Sequence, residues 1–141
     1  MRTSTSALSV LSVLTGTGIL AQWILVWTGV FPVAETVPGF RNYFLSFAVA
    51  DMWLVGAAFM TAALTARRDP RALVFGVALG SAMVFFGLYA LMYDLSIGVL
   101  FSLAPGELFG KAVTLYNLVA GVVFMVLSWK VGRPVQPDVA P

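Results

Sequence analysis

The sequence predicts an all-α integral membrane protein, a four-helix bundle with short loops that forms one domain over residues 1–133. Hydrophobic residues make up 60% of the chain and charged residues only 10%, whereas an average soluble domain is about 25% charged. Four apolar stretches are each long enough to cross a bilayer, which takes about 20 residues. Proline, glycine and charged residues separate these stretches, as expected of loops between helices.

The first two spans are predicted at residues 7–31 and 40–66. A signal peptide is the alternative interpretation of the first span, with a cut site at residues 32–34. Its apolar region would be about 25 residues long, against 7–15 in signal peptides, so a retained helix is favoured. The second span ends before the charged pair Arg67-Arg68.

The third span is predicted at residues 72–95, after a tight charged turn at residues 67–71. Residues 96–109 form a semi-apolar connection that either lies in the membrane interface or partly re-enters the membrane. The fourth span follows at residues 110–131. Residues 134–141 are rich in proline and are predicted to be a disordered tail.

Composition excludes several classes of function. The chain contains no Cys and no His, which removes disulfide and thiol chemistry, Cys-ligated metals and the usual haem ligand. No metal and no cofactor is therefore expected. The eight Lys and Arg residues form no run, so no nucleic acid is expected as a partner. Any acid–base chemistry must use Asp, Glu, Tyr, Lys or Arg.

Asp51 is the candidate centre of a functional site because it lies deep in the second span. A carboxyl group there costs about 2.5–3.5 kcal/mol on insertion, and such groups usually face the bundle interior or a wet cavity. We expect it to be protonated in the empty protein, since an isolated carboxylate is costly in apolar surroundings. The alternative is a structural carboxyl group that bonds to a neighbouring helix. The helix face that carries Asp51 consists mostly of small residues, which are Ala48, Val55, Ala58, Ala62 and Thr65. The opposite face suits contact with lipid and consists of Val49, Trp53, Met60 and Leu64.

Polar residues of the other spans are predicted to lie in the same layer. At 1.5 Å per residue, Asp51, Gln22 and Asn117 lie roughly 16, 13 and 10 Å below the outer ends of their spans. On the third span, Asp94 is favoured over Tyr89 as the residue that faces the bundle centre. The candidate ligand-binding residues are therefore Gln22, Asp51, Tyr89, Tyr93, Asp94 and Asn117, and the catalytic pair of an enzyme would be Asp51 and Asp94.

The inner half of the bundle is expected to be almost wholly apolar. Trp23, Trp27 and Trp129 lie towards span ends and are expected in the aromatic belts at the membrane surfaces.

Small residues on the last two spans predict close helix packing. Gly76 and Gly80 form a GxxxG pair, and Gly87 continues their row on the third span. Gly121 lies on the same face of the fourth span as Asn117. Such rows let helix backbones approach closely in membranes.

Three groups of membrane proteins are similar to this chain in architecture or in chemistry, but they differ from it in key residues. Small multidrug transporters carry an embedded Glu in their first helix, but the first span here has no acidic residue. The vitamin K epoxide reductase type has a four-helix core whose chemistry requires Cys, and the chain has none. Sterol isomerase-like and terpene-cyclase-like proteins use buried carboxyl groups on apolar substrates, which is a similarity of chemistry without a shared motif.

Three functions remain open at this stage. The first is binding or transport of a small apolar or amphipathic ligand in a polar pocket in the outer half of the membrane. The second is an intramembrane enzyme that acts on a lipid or isoprenoid by Asp general-acid chemistry. The third is a non-catalytic subunit or assembly factor that packs against a second copy or a partner membrane subunit. Membrane lipid is a partner in all three, and the expected location is a cell membrane, with a prokaryotic inner membrane favoured.

The distribution of basic residues predicts that both termini are cytoplasmic. Six Lys and Arg residues fall on the side of the termini and of the turn at 67–71, and two fall on the other side. Basic residues near span ends favour the cytoplasmic side. A reporter enzyme fused after Pro141 should be active in the cytoplasm, and activity of that fusion on the opposite side would contradict the orientation.

Overall fold

The computed structural model describes residues 2–33, 35, 37–103 and 105–132. The predicted disordered tail at 134–141 lies outside the described residues, as does part of the alternative cut site. The described chain is helical without strands, and the predicted all-α fold with four membrane-spanning units is confirmed. Five helices build these units: α1 Arg2–Trp27, α2 Phe40–Ser46, α3 Ala48–Ala66, α4 Arg71–Ser96 and α5 Pro105–Gly132.

The first span ends earlier than predicted. Helix α1 stops at Trp27, and Gly29 adopts a left-handed backbone with φ of 75°. A residue in this conformation ends a helix, and glycine adopts it without steric cost. Val30 and Phe31 therefore belong to the following loop, although they continue the apolar run of α1.

The second span is a helix with one interruption. Helices α2 and α3 meet at Phe47, which keeps right-handed backbone angles and whose N–H bonds to the carbonyl group of Phe44. One turn later, the N–H of Asp51 bonds to the carbonyl group of Phe47 at 2.8 Å. The interruption therefore changes the local winding of the chain immediately before Asp51 without ending the span.

The turn between α3 and α4 is fixed by hydrogen bonds. Arg68 has a positive φ of 55°, and the N–H of Asp69 bonds to the carbonyl group of Leu64. The carboxyl group of Asp69 accepts hydrogen bonds from the guanidinium group and backbone N–H of Arg71. These bonds lower the pKa of Asp69 to about 2. The turn thereby satisfies backbone groups at the end of α3 and the start of α4.

The connection between α4 and α5 contains no helix in residues 97–103. Helix α4 ends at Ser96, and Gly98 two residues later has a φ of 74°, with the N–H of Val99 bonded to the carbonyl group of Asp94. This is the pattern of a helix stop at a left-handed glycine. Helix α5 then begins at Pro105, earlier than the predicted position 110.

The long helices form a ring in chain order. Contacts join α1 to α3, α3 to α4, α4 to α5, and α5 back to α1, the last being the least extensive. On the predicted face of α3, Val55, Ala58, Ala62 and Thr65 are buried, whereas Ala48 and Asp51 are half-buried. Val49 on the opposite face is 83% exposed. Leu64 was expected to face lipid and is instead buried in the last turn of α3, where the chain folds back into α4. The centre of the bundle consists of Leu8, Leu54, Ala57, Ala58, Leu79, Met83, Ala120 and Phe124.

Glycine residues bring α4 and α5 into close contact. A Cβ atom added at Gly80 would lie 2.5 Å from the carbonyl oxygen of Gly121, and one added at Gly121 would lie 2.7 Å from that of Gly80. Gly76 lies against Ser128, and Gly87 lies against Leu118. The α4 glycine row therefore faces α5 within the protein.

The inner half of the bundle is less apolar than predicted. Ser12, Thr61, Thr65 and Ser128 are buried there. The hydroxyl groups of Ser12 and Thr61 donate to the carbonyl groups of Leu8 and Ala57 on their own helices, at 2.7 and 2.8 Å. Short side chains that satisfy themselves on the local backbone fit between close helices. The expectation overlooked this use of Ser and Thr.

The Gly80 contact predicts a graded effect on stability. Gly80→Ala should lower the free energy of unfolding by about 1–3 kcal/mol, because the new methyl group overpacks the α4–α5 contact. The matched control is Gly56→Ala on α3, where an added Cβ meets no atom within 4 Å. This control should be neutral or stabilising, since Ala is the better helix former. Equal melting temperatures of the two variants in the same detergent would contradict the assigned contact.

Candidate functional site

Asp51 is held by a tryptophan from the neighbouring helix. The indole Nε1–H of Trp23 on α1 donates to Oδ2 of Asp51 on α3 at 2.8 Å. Trp23 is 0% exposed, whereas Trp27, one turn later, is 62% exposed. The expectation that Trp23 belongs to an aromatic belt is therefore wrong. An indole N–H is a donor that needs a partner when buried, and the Asp51 carboxyl group supplies it.

A cleft between α1 and α5 reaches Asp51. Its volume is about 470 Å³, and we call it the α1–α5 cleft. Gln22, Asp51 and Asn117, which the sequence placed in one layer, all line it. The rings of Phe31 and Phe109 lie 5.0 Å apart at the end where α1 finishes and α5 begins. Most of the remaining wall is apolar: Leu14, Gly18, Ile19, Ala21, Leu25, Leu54, Ala112 and Val113.

A smaller cavity lies on the other side of Asp51. Its volume is about 130 Å³, and both Asp51 and Asp94 line it. We call it the aromatic chamber because of the rings in its wall, which are those of Trp23, Phe40, Tyr43, Phe44, Phe47, Phe86 and Phe109. Asp51 and Asn117 also line the α1–α5 cleft, so these two residues lie where the spaces meet.

The predicted tyrosines lie outside the centre. Tyr89 is 51% exposed and does not appear in the described wall of either cavity, whereas Asp94 lines the chamber. Tyr93 stacks on Tyr43 with ring centroids 3.8 Å apart. Tyr43 itself forms part of the chamber wall. Tyr93 therefore supports that wall from behind, and Tyr89 continues the stack towards the surface at 6.0 Å from Tyr43.

Tyr116 is a further site residue that the sequence did not single out. Its hydroxyl group lies 2.5 Å from the hydroxyl group of Thr15 across the α1–α5 cleft. Thr15 also donates to the carbonyl group of Leu11 at 2.8 Å. Because a hydroxyl group has one proton to donate, Tyr116 is the donor to Thr15. This bond joins α1 and α5 where both helices line the cleft.

Three charged residues near this end of the bundle, Glu35, Glu107 and Lys111, are engaged with one another or with the backbone. Glu35 accepts hydrogen bonds from the backbone N–H groups of Gly39 and Arg41. Lys111 donates to the carbonyl group of Ser102 and lies 3.5 Å from the Glu107 carboxyl group. Glu107 and Lys111 are also the charged residues that interact electrostatically with the carboxyl group of Asp94. Among the described residues, no group of three or more potential metal ligands is present.

No protein-family model matches this sequence, and no curated protein and no solved structure is significantly similar to it. The carboxyl group of Asp51 lies between an apolar cleft and an aromatic cavity. Gln22 and Asn117 add amide donors and acceptors beside it. Such a combination of apolar walls and few polar groups is typical of small-molecule sites.

The Trp23–Asp51 bond predicts a specific coupling. Trp23→Phe removes the donor and keeps an aromatic ring, so it should cost about 0.5–1.5 kcal/mol of stability, or about 1.5–3 if the carboxyl group is ionised. Trp27→Phe is the matched control because it makes the same change at an exposed position, and it should be nearly neutral. In an Asp51→Ala background the cost of Trp23→Phe should shrink. An undiminished cost in that background would contradict an energetic role for the bond.

Proposed function

We propose that this protein binds a small amphipathic ligand, with its apolar part in the α1–α5 cleft and its polar part at Asp51. The cleft volume of about 470 Å³ supports this, because ligand sites range over about 300–1,000 Å³. Its single embedded carboxyl group, flanked by Gln22 and Asn117, offers one polar end to an otherwise apolar space. The cleft beside Asp51 is the observation on which the proposal depends.

The ligand reaches the cleft from the side, through the membrane. Leu14 and Leu25 line the cleft and are also exposed on the outer surface of α1. Membrane lipid occupies the surroundings of such residues in a membrane-spanning bundle, so an apolar chain can slide between α1 and α5 without crossing water. In the orientation predicted from the basic residues, this access lies in the outer leaflet.

Transport is an extension of this binding function. Towards the other end of the bundle, Leu8, Ser12 and Phe124 are fully buried, so the described state closes the centre there. A transporter would need a second state in which α1 and α5 part on the inner side. Binding from the outer side requires only the described state and is the more economical proposal.

The two alternatives have less support. A lipid-modifying enzyme is favoured by one observation, that Asp51 and Asp94 line the same chamber. However, about 130 Å³ is below the usual range for a whole ligand, so only a small part of a substrate would fit between the two carboxyl groups. A docking subunit would present its glycine row to a partner, yet Gly76, Gly80 and Gly87 face α5 within the protein.

The binding proposal is tested with three radiolabelled amphiphiles that share one acyl chain. Lauroylcholine is cationic, neohexyl laurate is uncharged and laurate is anionic. At least one should bind saturably to the protein in lipid nanodiscs, after subtraction of binding to empty nanodiscs. Gly18→Leu should weaken that binding about tenfold or more, a loss of about 1.4 kcal/mol, because the new side chain enters the cleft.

The matched control is Gly56→Leu. An added Cβ meets no atom within 4 Å at either glycine, but only Gly18 lines the cleft. Gly56→Leu should therefore bind the amphiphile like the parent protein, and both variants should keep the parent melting temperature. Absence of saturable binding of all three amphiphiles, or equal binding by the two variants, would refute the proposed function.

A further inference from the structure

We propose that the head group of the ligand is an organic cation, an ammonium group that occupies the aromatic chamber. This inference rests on the proposed function, since the acyl or alkyl part of the ligand would lie in the α1–α5 cleft. It follows from the charge of the chamber, from the composition of its wall, and from its size and position beside the cleft.

The chamber contains two acidic groups. Asp51 and Asp94 line it, and its described wall contains no Lys or Arg. Lys111 is the basic residue that interacts electrostatically with Asp94. Its ammonium group already donates to the Ser102 carbonyl group and forms an ion pair with Glu107. An anionic head group would therefore meet two carboxyl groups without a cation to balance its charge. A cation would stabilise the ionised form of either carboxyl group.

The wall of the chamber suits a cation that carries methyl groups. Aromatic rings attract ammonium groups through their electron-rich faces, and cages of such rings recognise quaternary ammonium ligands. Trp23 and Phe44 have centroids 5.5 Å apart, and Phe47 lies 5.0 Å from Tyr43 and 5.6 Å from Phe86. The rings of the wall come from α1, α2, α4 and α5 and from Phe47 between α2 and α3, so they surround the space on several sides.

The arrangement of the two spaces matches an amphiphile with a small head. About 130 Å³ accepts a compact head group and excludes a long chain, whereas the cleft of about 470 Å³ accepts the chain. Asp51 lines both spaces, at the place where head and chain would join. Trp23 donates to Oδ2 of Asp51, which leaves Oδ1 available to a ligand and holds the carboxyl group in a fixed orientation.

The decisive experiment compares lauroylcholine with neohexyl laurate, in which a carbon atom replaces the ammonium nitrogen. The two molecules have the same shape and differ in charge. In nanodiscs, lauroylcholine should bind about tenfold or more tightly than its uncharged isostere, as expected for an ammonium group among desolvated aromatic rings. Binding of each is expressed relative to its own partitioning into empty nanodiscs.

Substitutions in the chamber wall test whether the preference for lauroylcholine over neohexyl laurate arises in the chamber. Asp51→Asn and Phe44→Leu should each weaken the binding of lauroylcholine more than that of neohexyl laurate, so that most of the preference for the cation is lost. The matched control for Phe44→Leu is Phe85→Leu, since Phe85 is exposed and is not part of the described chamber wall. Asp94→Asn provides an independent second test of the carboxyl groups. The melting temperature of every variant is measured first, and only folded variants enter the comparison.

The outcomes separate this inference from the proposed function. Preference for lauroylcholine that falls in the chamber variants supports the cation. Equal binding of both esters, with loss of both in Gly18→Leu, overturns the cation while the binding function stands. A preference for lauroylcholine that survives Asp51→Asn, Asp94→Asn and Phe44→Leu also overturns it, because the charge is then recognised elsewhere. Absence of saturable binding of both esters overturns the cation, and absence of saturable binding of laurate as well overturns the proposed function.

Discussion

A carboxyl group inside a membrane-spanning bundle imposes a requirement that the surrounding helices must meet. In the hydrocarbon region there is no bulk water to solvate Asp51, so its oxygen atoms need protein donors or a wet cavity. The indole of Trp23 meets part of this requirement at 2.8 Å. The bond fixes the rotation of α1 against α3, because both side chains must point into the same interhelical space. The cleft and the chamber then lie on the two sides of this pair.

Close packing on one side of α5 leaves the opposite side open. Gly80 and Gly121 bring α4 and α5 nearly into backbone contact. Helix α5 therefore lies towards α4, and its other face meets α1 less extensively. On that face the Thr15–Tyr116 hydrogen bond spans the gap between α1 and α5. The glycine row thus has an indirect role in the site, since the tight packing of α5 against α4 leaves space between α5 and α1.

The sequence predicted the fold well and part of the arrangement of side chains around Asp51. Hydropathy and breaker residues were sufficient for four spans, because only continuous helices satisfy the backbone in lipid. The rise of about 1.5 Å per residue predicted that Gln22, Asp51 and Asn117 lie in one layer. Asp94 was favoured over Tyr89 because it continues the row of small residues that contains Gly80 and Gly87. The burial of Trp23 could not be predicted in this way. A tryptophan near the end of a span is as compatible with the membrane surface as with a buried hydrogen bond, and only the rotation of α1 decides between them.

Helical periodicity explains why the chamber is aromatic. Residues four, seven, eight and eleven positions apart share one helix face, and these spacings separate Asp51 from Phe47, Phe44, Tyr43 and Phe40. The short break between α2 and α3 preserves this face, because Phe47 keeps right-handed backbone angles. The four rings therefore line the space that Asp51 and Asp94 share. The prediction followed the face of Asp51 only from Ala48 to Thr65, and it missed the aromatic residues on the same face nearer the start of the span.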